Sequence, residues 1–346
     1  MKKIQILSIF LFTTILLKAT PPDLSVKPYI NPPHRIIRTC CAFGSDLKLW
    51  IIPGIKFTDI TCVQNIGPHK YLGNSREGNG ILYTRRGGFI DLGHLRDQAD
   101  WTAYLHSQIL LSQKEGEIDL QLGREGGLKT LKLTVPQDLD QSDAMLLAGK
   151  IAYDLSIWHE IATWFGSSSI PFVPERYSSF SIEDPYSNLL GVTLGMKAIS
   201  SNLPYEEAMT SLLHQTLDSI GVVSSIDDTF NAMEAVRNVW WTRDKPLPSG
   251  KMLIERQLNV YSPQVPWLVP GWDDSKANPY ELQVPKATHD GRALVNFYQL
   301  GFRLNNKFNL MEIFATKEKR DITQNDFEVI LSCIKKQLDD AGYPYR

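Results

Sequence analysis

The fold is decided by a stretch in which a strand passes directly into a helix, Gly88 to Trp101, which reads Gly-Phe-Ile-Asp-Leu-Gly-His-Leu-Arg-Asp-Gln-Ala-Asp-Trp. Apolar runs at 81–84 and 88–92, joined by Arg-Arg-Gly, predict two short strands, and the apolar spacing from Asp97 predicts a helix to about Ser112. His94 lies where the chain turns from strand to helix. Side chains at such junctions project from sheet ends into clefts, so His94 is the first candidate for chemistry.

The sequence after this stretch predicts a hairpin followed by several helices. Residues 117–122 and 128–135 alternate apolar with polar side chains around Gly-Arg-Glu-Gly-Gly, which is typical of two antiparallel strands. Helical patterns follow, with start or stop signals at each. They run from Ser142 or Asp143 to Gly166, from Asp184-Pro185 to about Ala198, from Pro204 to Gly221, and from Asp326 to Ala341.

Residues 240–300 show no clean period and are predicted to form loops and short strands. The prediction is one α+β domain, residues 39–346, with a small, mostly antiparallel sheet packed with several helices. Residues 20–38 hold five prolines and are predicted to be an extended leader.

Composition and charge exclude several classes of protein. The chain has 346 residues, of which 43% are hydrophobic and 21% charged, as in ordinary globular proteins. The 36 basic residues are balanced by 38 acidic ones. Because no net positive field results, we expect no nucleic-acid partner.

The first 19 residues have the layout of a secretory signal peptide. Lys2 and Lys3 precede an apolar run at 4–17, and the predicted cleavage follows Ala19. No later segment has the length of a membrane span, so we expect none once the signal is removed. This predicts a periplasmic protein acting on a small-molecule or cell-envelope substrate, and the alternative is an uncleaved N-terminal anchor in the inner membrane.

The four cysteines, Cys40, Cys41, Cys62 and Cys333, leave three possibilities open. In an oxidising compartment Cys62 can pair with Cys40 or Cys41, or the thiols can simply be buried. Cys40 or Cys41 can also serve as a nucleophile beside a distant histidine. A cysteine zinc site is disfavoured because the chain has no Cys-x-x-Cys pair.

Three polar clusters are candidates for a site. Asp97 and Asp100 follow His94 within one helix, where one of them can share a ligand with it or merely stabilise the helix start. In the second cluster, His159-Glu160, the zinc-protease pattern His-Glu-x-x-His fails because Thr163 occupies the last position. His159 can still act as a ligand or base with Glu160 behind it, or be a hydrogen-bonded core residue.

The third cluster, residues 178–188, brings hydroxyls and carboxylates to a predicted helix start. Glu183 and Asp184 are candidate ligands, although Asp184 can also be a simple helix cap. Ser187 is a candidate nucleophile if a histidine reaches it.

These three motifs resemble an exported bacterial family catalogued as a domain of unknown function, number 4056. The resemblance rests on Gly-Phe-Ile-Asp-Leu-Gly-His-Leu-Arg-Asp, Trp-His-Glu-Ile-Ala-Thr-Trp-Phe-Gly and Ser-Ser-Phe-Ser-Ile-Glu-Asp-Pro-Tyr-Ser-Asn, and it implies an envelope protein without an assigned reaction. The residues around His94 and Ser187 are also similar to circularly permuted papain-like enzymes. Their nucleophile is a cysteine, and none lies between Cys62 and Cys333 here, which argues against a thiol mechanism from this helix.

The sequence therefore predicts an exported hydrolase or acyl transferase. Its candidate catalytic residues are His94, His159 and Ser187. The candidate ligands of a divalent metal such as zinc are His94, Asp97, Asp100, His159, Glu160, Glu183 and Asp184. The alternative is a non-catalytic binding or scaffold protein in which the same groups form a buried polar network.

Overall fold

The computed structural model describes residues 32–33, 38, 42–47, 59–168, 175–245, 249, 251–272 and 278–346. Within these residues it has seven α-helices and two antiparallel sheets, which confirms the predicted α+β class. The helices are α1 (Leu92–Glu115), α2 (Gln141–Trp164), α3 (Asp184–Ile199), α4 (Tyr205–Ser219), α5 (Ile226–Ala235), α6 (Leu310–Phe314) and α7 (Phe327–Ala341). The strands are β1 (Ile81–Thr84), β2 (Gly88–Asp91), β3 (Ile118–Arg124), β4 (Gly127–Leu133), β5 (Tyr298–Leu304) and β6 (Asp321–Thr323).

Helix α1 begins at Leu92, five residues before the predicted start at Asp97. The reason is that the side chain of Asp91 accepts a hydrogen bond from the backbone N–H of His94 and so caps the helix directly at the end of β2. Similarly, α2 is capped by Asp140 and not by Ser142 or Asp143. Asp184 is the first residue of α3 and not its cap.

Helices α1, α2 and α3 pack against one another and form the buried centre of the protein. Two glycines let α3 approach α1 closely. A Cβ atom at Gly191 would lie 2.0 Å from the carbonyl oxygen of Leu95, and one at Gly195 would lie 3.0 Å from Cα of Ala99. The two glycines thus let the middle of α3 lie directly against residues 95–99 of α1.

The larger sheet has the strand order β3-β4-β5-β6, all antiparallel. Strands β3 and β4 form the predicted hairpin, whereas β5 begins in a region that was predicted to be loops and short strands. Its residues alternate between buried and more exposed positions. The sheet packs on α2, where the Trp158 ring stacks on Phe302 of β5 with the ring centroids 4.1 Å apart.

Some predictions fall outside the described residues. These are the signal peptide at 1–19 and most of the leader at 20–38. Among the helices that are described, none has both the length and the apolar character needed to cross a membrane.

Candidate functional site

Asp91 and His94 lie at the junction of β2 and α1, and both are buried. Oδ1 of Asp91 accepts a hydrogen bond of 3.0 Å from the backbone N–H of His94. The backbone N–H of Asp91 donates to Oγ of Ser187 across 2.9 Å and so joins the start of α1 to α3. Asp91 was missed as a site residue because the helix was placed too late. The signal in the sequence was an aspartate three residues before His94, the spacing of a helix cap.

His94 faces an acid at the start of α3. Its Nδ1 lies 3.1 Å from Oδ1 of Asn188. Since a carboxamide oxygen only accepts, Nδ1 carries the hydrogen, and Nε2 of the neutral ring keeps its lone pair. That Nε2 lies 3.6 Å from Oδ1 of Asp184, which is also buried.

Three buried side chains lie close enough together to hold a metal ion and form a candidate metal group: Asp91, His94 and Asp184. One possible ligand atom from each residue lies within 4.8 Å of the other two. Two donors bound to a tetrahedral zinc at about 2.0 Å lie roughly 3.3 Å apart, close to the separation of His94 and Asp184. Of the predicted ligands, the structure brings His94 and Asp184 into this group and adds Asp91.

Glu160 and Glu183 are two further buried acids close to this group. Oε2 of Glu160 accepts a hydrogen bond of 2.7 Å from the backbone N–H of Phe180, and Oε2 of Glu183 accepts one from Oγ of Ser181. Burial, together with the negative charges of Asp91 and Glu160, raises the pKa of Glu183 to about 8. The acids around the metal group are thus near enough to influence one another.

Arg256 is a buried cation on the Glu160 side of this region. It donates from Nη1 to the backbone oxygen of Ser179. Burial and the neighbouring charge of Arg176 lower the pKa of Arg256 to about 9, and the negative charge of Glu160 opposes that shift. Arg256 therefore offsets part of the negative charge of Glu160, while Asp91 and Asp184 lie closest to His94.

His159 lies beside His94, with the ring centroids 6.1 Å apart. Its Nδ1 lies 2.6 Å from Oε1 of Glu125, a residue of the turn between β3 and β4. The other oxygen of Glu125 accepts a hydrogen bond of 2.8 Å from Nζ of Lys129. A carboxylate that holds one imidazole nitrogen orients the ring and supports a positive charge on it, which suits a general base.

A cleft of about 450 Å³ leads to His159. Its walls come from α1, α2, the turn after β3 and the segment after β5. The lining side chains include Gln98, Trp101, Glu125, Lys129, His159 and Thr163. His159 thus lines the cleft and lies beside His94, whereas Asp91, His94 and Asp184 are not part of the cleft lining.

Asp97 and Asp100 belong to a different network. Nη1 of Arg38 donates to Oδ1 of Asp97 at 3.1 Å and to Oδ2 of Asp100 at 2.7 Å, and Nε2 of His69 lies 2.9 Å from Oδ1 of Asp100. Burial acts to raise the pKa of Asp100, but the charges of Arg38 and His69 outweigh it and hold the pKa below its ordinary value. Both acids thus face Arg38, and neither belongs to the group of Asp91, His94 and Asp184.

The predicted nucleophiles have other surroundings than expected. Oγ of Ser187 accepts the hydrogen bond from the backbone N–H of Asp91, and no hydrogen bond joins it to an imidazole within the described part of the chain. Among the described residues, Cys62 is buried and neither it nor Cys333 forms a disulfide. Cys40 and Cys41 lie outside the described residues.

A second group of possible ligands lies at the start of α2 and consists of Asp140, Asp143 and His289. Asp140 and His289 are exposed. Oδ1 of Asp143 accepts hydrogen bonds of 2.8 Å and 2.6 Å from the backbone N–H and the ring of His289. These hydrogen bonds explain why the three residues lie together at the start of α2 without any metal ion.

Comparison with known proteins gives a family and no further relatives. No curated protein and no solved structure matches the chain. One family model matches residues 27–270, which include the junction of β2 with α1, helix α2 and the start of α3. The match covers more than half of the chain, and it agrees with the resemblance found in the three motifs. The chain belongs to the family described as "Protein of unknown function (DUF4056)".

Proposed function

We propose that this protein is an exported, metal-dependent hydrolase of the cell envelope, in which Asp91, His94 and Asp184 bind a divalent cation such as zinc. The observation that carries the proposal is the buried group of these three side chains, whose ligand atoms lie within 4.8 Å of one another. Two carboxylates and an imidazole are hard and borderline donors that suit zinc.

Burial makes the need for a cation stronger. Asp91 and Asp184 are both almost inaccessible to solvent. Removing carboxylates from water is costly unless hydrogen bonds, protons or cations compensate. A divalent ion neutralises two negative charges at once.

The division of roles follows from the cleft. A bound metal ion supplies Lewis acidity and lowers the pKa of a bound water. His159, held by Glu125, faces the cleft and takes a proton from the attacking water. Asn188 fixes the His94 ring so that Nε2 faces Asp184.

The proposal is tested by metal analysis of purified protein. After dialysis against a chelator, we expect about one equivalent of zinc to bind per chain, with binding lost in His94→Ala and Asp184→Asn. The matched control is Asp143→Asn, which removes an acid from the second group of possible ligands, at the start of α2, and should leave binding unchanged. Zinc binding that survives His94→Ala, or that disappears in Asp143→Asn alone, contradicts the proposal.

Hydrolysis is tested with a panel of chromogenic esters and amides. His159→Gln should keep the zinc and lose activity by about 100-fold or more, the usual contribution of a general base. If no member of the panel is hydrolysed by the zinc-loaded protein, the hydrolase assignment fails while the metal site stands.

The second candidate is a binding or scaffold protein, favoured by the hydrogen bonds that join α1 to α3 through Asp91, His94, Ser187 and Asn188. In that case, zinc does not bind, and His94→Ala lowers the free energy of unfolding by about 3 kcal/mol or more, as expected for a broken buried network.

Export is also part of the proposal. It rests on the apolar run at 4–17 behind Lys2 and Lys3, which is typical of a secretory signal. We expect the mature chain to be released into the periplasm and to begin at Thr20. N-terminal sequencing of the fractionated protein tests this, and an intact N-terminus in the membrane fraction supports the anchored alternative.

A further inference from the structure

The cleft contains a buried amide group with unused hydrogen-bonding capacity. Gln98 lines the cleft and is only 3% exposed. Its Oε1 has no hydrogen-bond partner among the described residues. An unsatisfied buried acceptor costs free energy, so its retention beside His159 calls for a ligand that supplies a donor.

The position of Gln98 follows from the helix that holds the metal group. It lies four residues after His94 on α1, and residues four apart share one face of a helix. The cleft lining includes Gln98, His159 and Trp101 together. A ligand in contact with Gln98 therefore lies close to the proposed general base.

The cleft lining also includes residues 122–124 at the end of β3. In the four-stranded sheet, β3 pairs with β4 on one side and has no neighbour on the other within the described residues. The β3–β4 register is interrupted between Gln121 and Arg124, so residues 122 and 123 form a bulge and have no register partner in β4. Gly123 adds an open approach, since a Cβ atom there would meet nothing within 4 Å.

We propose that the cleft binds an extended peptide, whose backbone hydrogen-bonds to the edge of β3 at its bulge and one of whose amide groups hydrogen-bonds to the amide of Gln98. An amide both donates and accepts in one plane, which is the complement of the glutamine side chain. Strand addition to an open sheet edge is an established way of holding an extended peptide. The inference rests on the proposed hydrolase and names the class of its substrate as a peptide.

The test measures binding with probes of defined chemistry. We screen two pools by ligand-observed NMR against the zinc-loaded protein: capped tetrapeptides and a matched set of disaccharides. Each pool is used at about 1 mM so that ligands with weak, millimolar affinity are detected. The best peptide is then compared with its ester analogue, in which one backbone N–H is replaced by oxygen.

We expect the peptide to bind and both Gln98→Leu and the ester substitution to weaken binding by about fivefold to tenfold, the usual effect of one hydrogen bond. The two effects should not add when combined, because each removes the same contact. Gln98→Glu keeps the size and the acceptor, so it should lose less affinity for the peptide than Gln98→Leu.

Three results overturn the inference: no peptide binds, only disaccharides bind, or Gln98→Leu and the wild type bind the peptide equally. Zinc content and thermal unfolding are measured on the same samples. Because Gln98 is not a metal ligand, Gln98→Leu should retain its zinc and its fold. Loss of peptide binding in a zinc-loaded, folded variant is thereby separated from failure of the proposed metal site.

Discussion

Replacing His106 by leucine should make the protein less sensitive to acid. His106 lies on α1 and is only 3% exposed, and neither ring nitrogen has a hydrogen-bond partner in the described part of the chain. Burial without a partner disfavours the charged ring, and it lowers the pKa of His106 from 6.5 to about 4.

The direction and size of the effect follow from this difference in pKa. Between about pH 6.5 and pH 4 the unfolded chain binds a proton at His106 that the folded chain does not bind. The free energy of unfolding therefore falls as the pH is lowered through this window, and His106 causes no such loss above it. The full difference between 6.5 and about 4 corresponds to about 3 kcal/mol.

The assay is urea unfolding of the wild type and His106→Leu, followed by the fluorescence of the 8 tryptophans. We expect the leucine variant to gain about 2–3 kcal/mol relative to the wild type when the pH is lowered from about 7.5 to about 4.5. His214→Leu, at a half-buried position on α4, controls for loss of a histidine as such. If the difference between wild type and His106→Leu is the same at both pH values, the reasoning is refuted.

Three further substitutions test the site and its support. Asn188→Ala frees the ring of His94 and should weaken zinc binding by about 10-fold to 100-fold, measured by competition with a chelating dye. Glu125→Gln should keep the zinc but lower the rate of hydrolysis by about 10-fold or more, because His159 loses the carboxylate that orients it. Gly191→Ala should lower the free energy of unfolding by about 2 kcal/mol or more in urea, because its Cβ atom meets backbone and α3 must move. Unchanged values in these measurements contradict the role given to each residue.

Local patterns in the sequence predicted the elements whose contacts are themselves local. The β3–β4 hairpin and helices α2, α4 and α7 lie close to their expected positions, because alternation, helical period and glycine stops are encoded within each segment. Strand β5 pairs with β4 from about 170 residues further along the chain, as in the Thr130–Gly301 pair. No short pattern specifies such a partner, so the strand was not recognised.

The site was predictable in part for the same reason. His94 and Asp184 stood out because ionisable residues are rare in apolar segments, but Asp91 was hidden by an error of five residues in the start of α1. The partner of Asp97 and Asp100 is Arg38, which lies 59 and 62 residues away in the sequence. That distant contact decides that Asp97 and Asp100 are neutralised by an arginine, whereas Asp91 and Asp184 are left to bind the proposed metal ion.

The protein should stay folded when the metal is removed. Asp91 and Asp184 lie at the starts of α1 and α3, helices of 24 and 16 residues. Each helix start carries about half a positive charge, so the two together offset roughly one of the two negative charges without any ion. The hydrogen bonds from the backbone N–H of His94 to Asp91 and from the backbone N–H of Asp91 to Ser187 remain as well.

Chelation should therefore remove the binding energy of the ion without unfolding the chain. At a free zinc concentration of about 100 times the dissociation constant, that energy is about 2.7 kcal/mol, and thermal unfolding should shift downward by the corresponding few degrees. At room temperature, the circular dichroism spectrum of the chelated protein should match that of the zinc-loaded protein. If the protein unfolds on chelation, the metal ion is needed to hold α1 and α3 together. The ion then has a structural role, which contradicts the proposed role in hydrolysis.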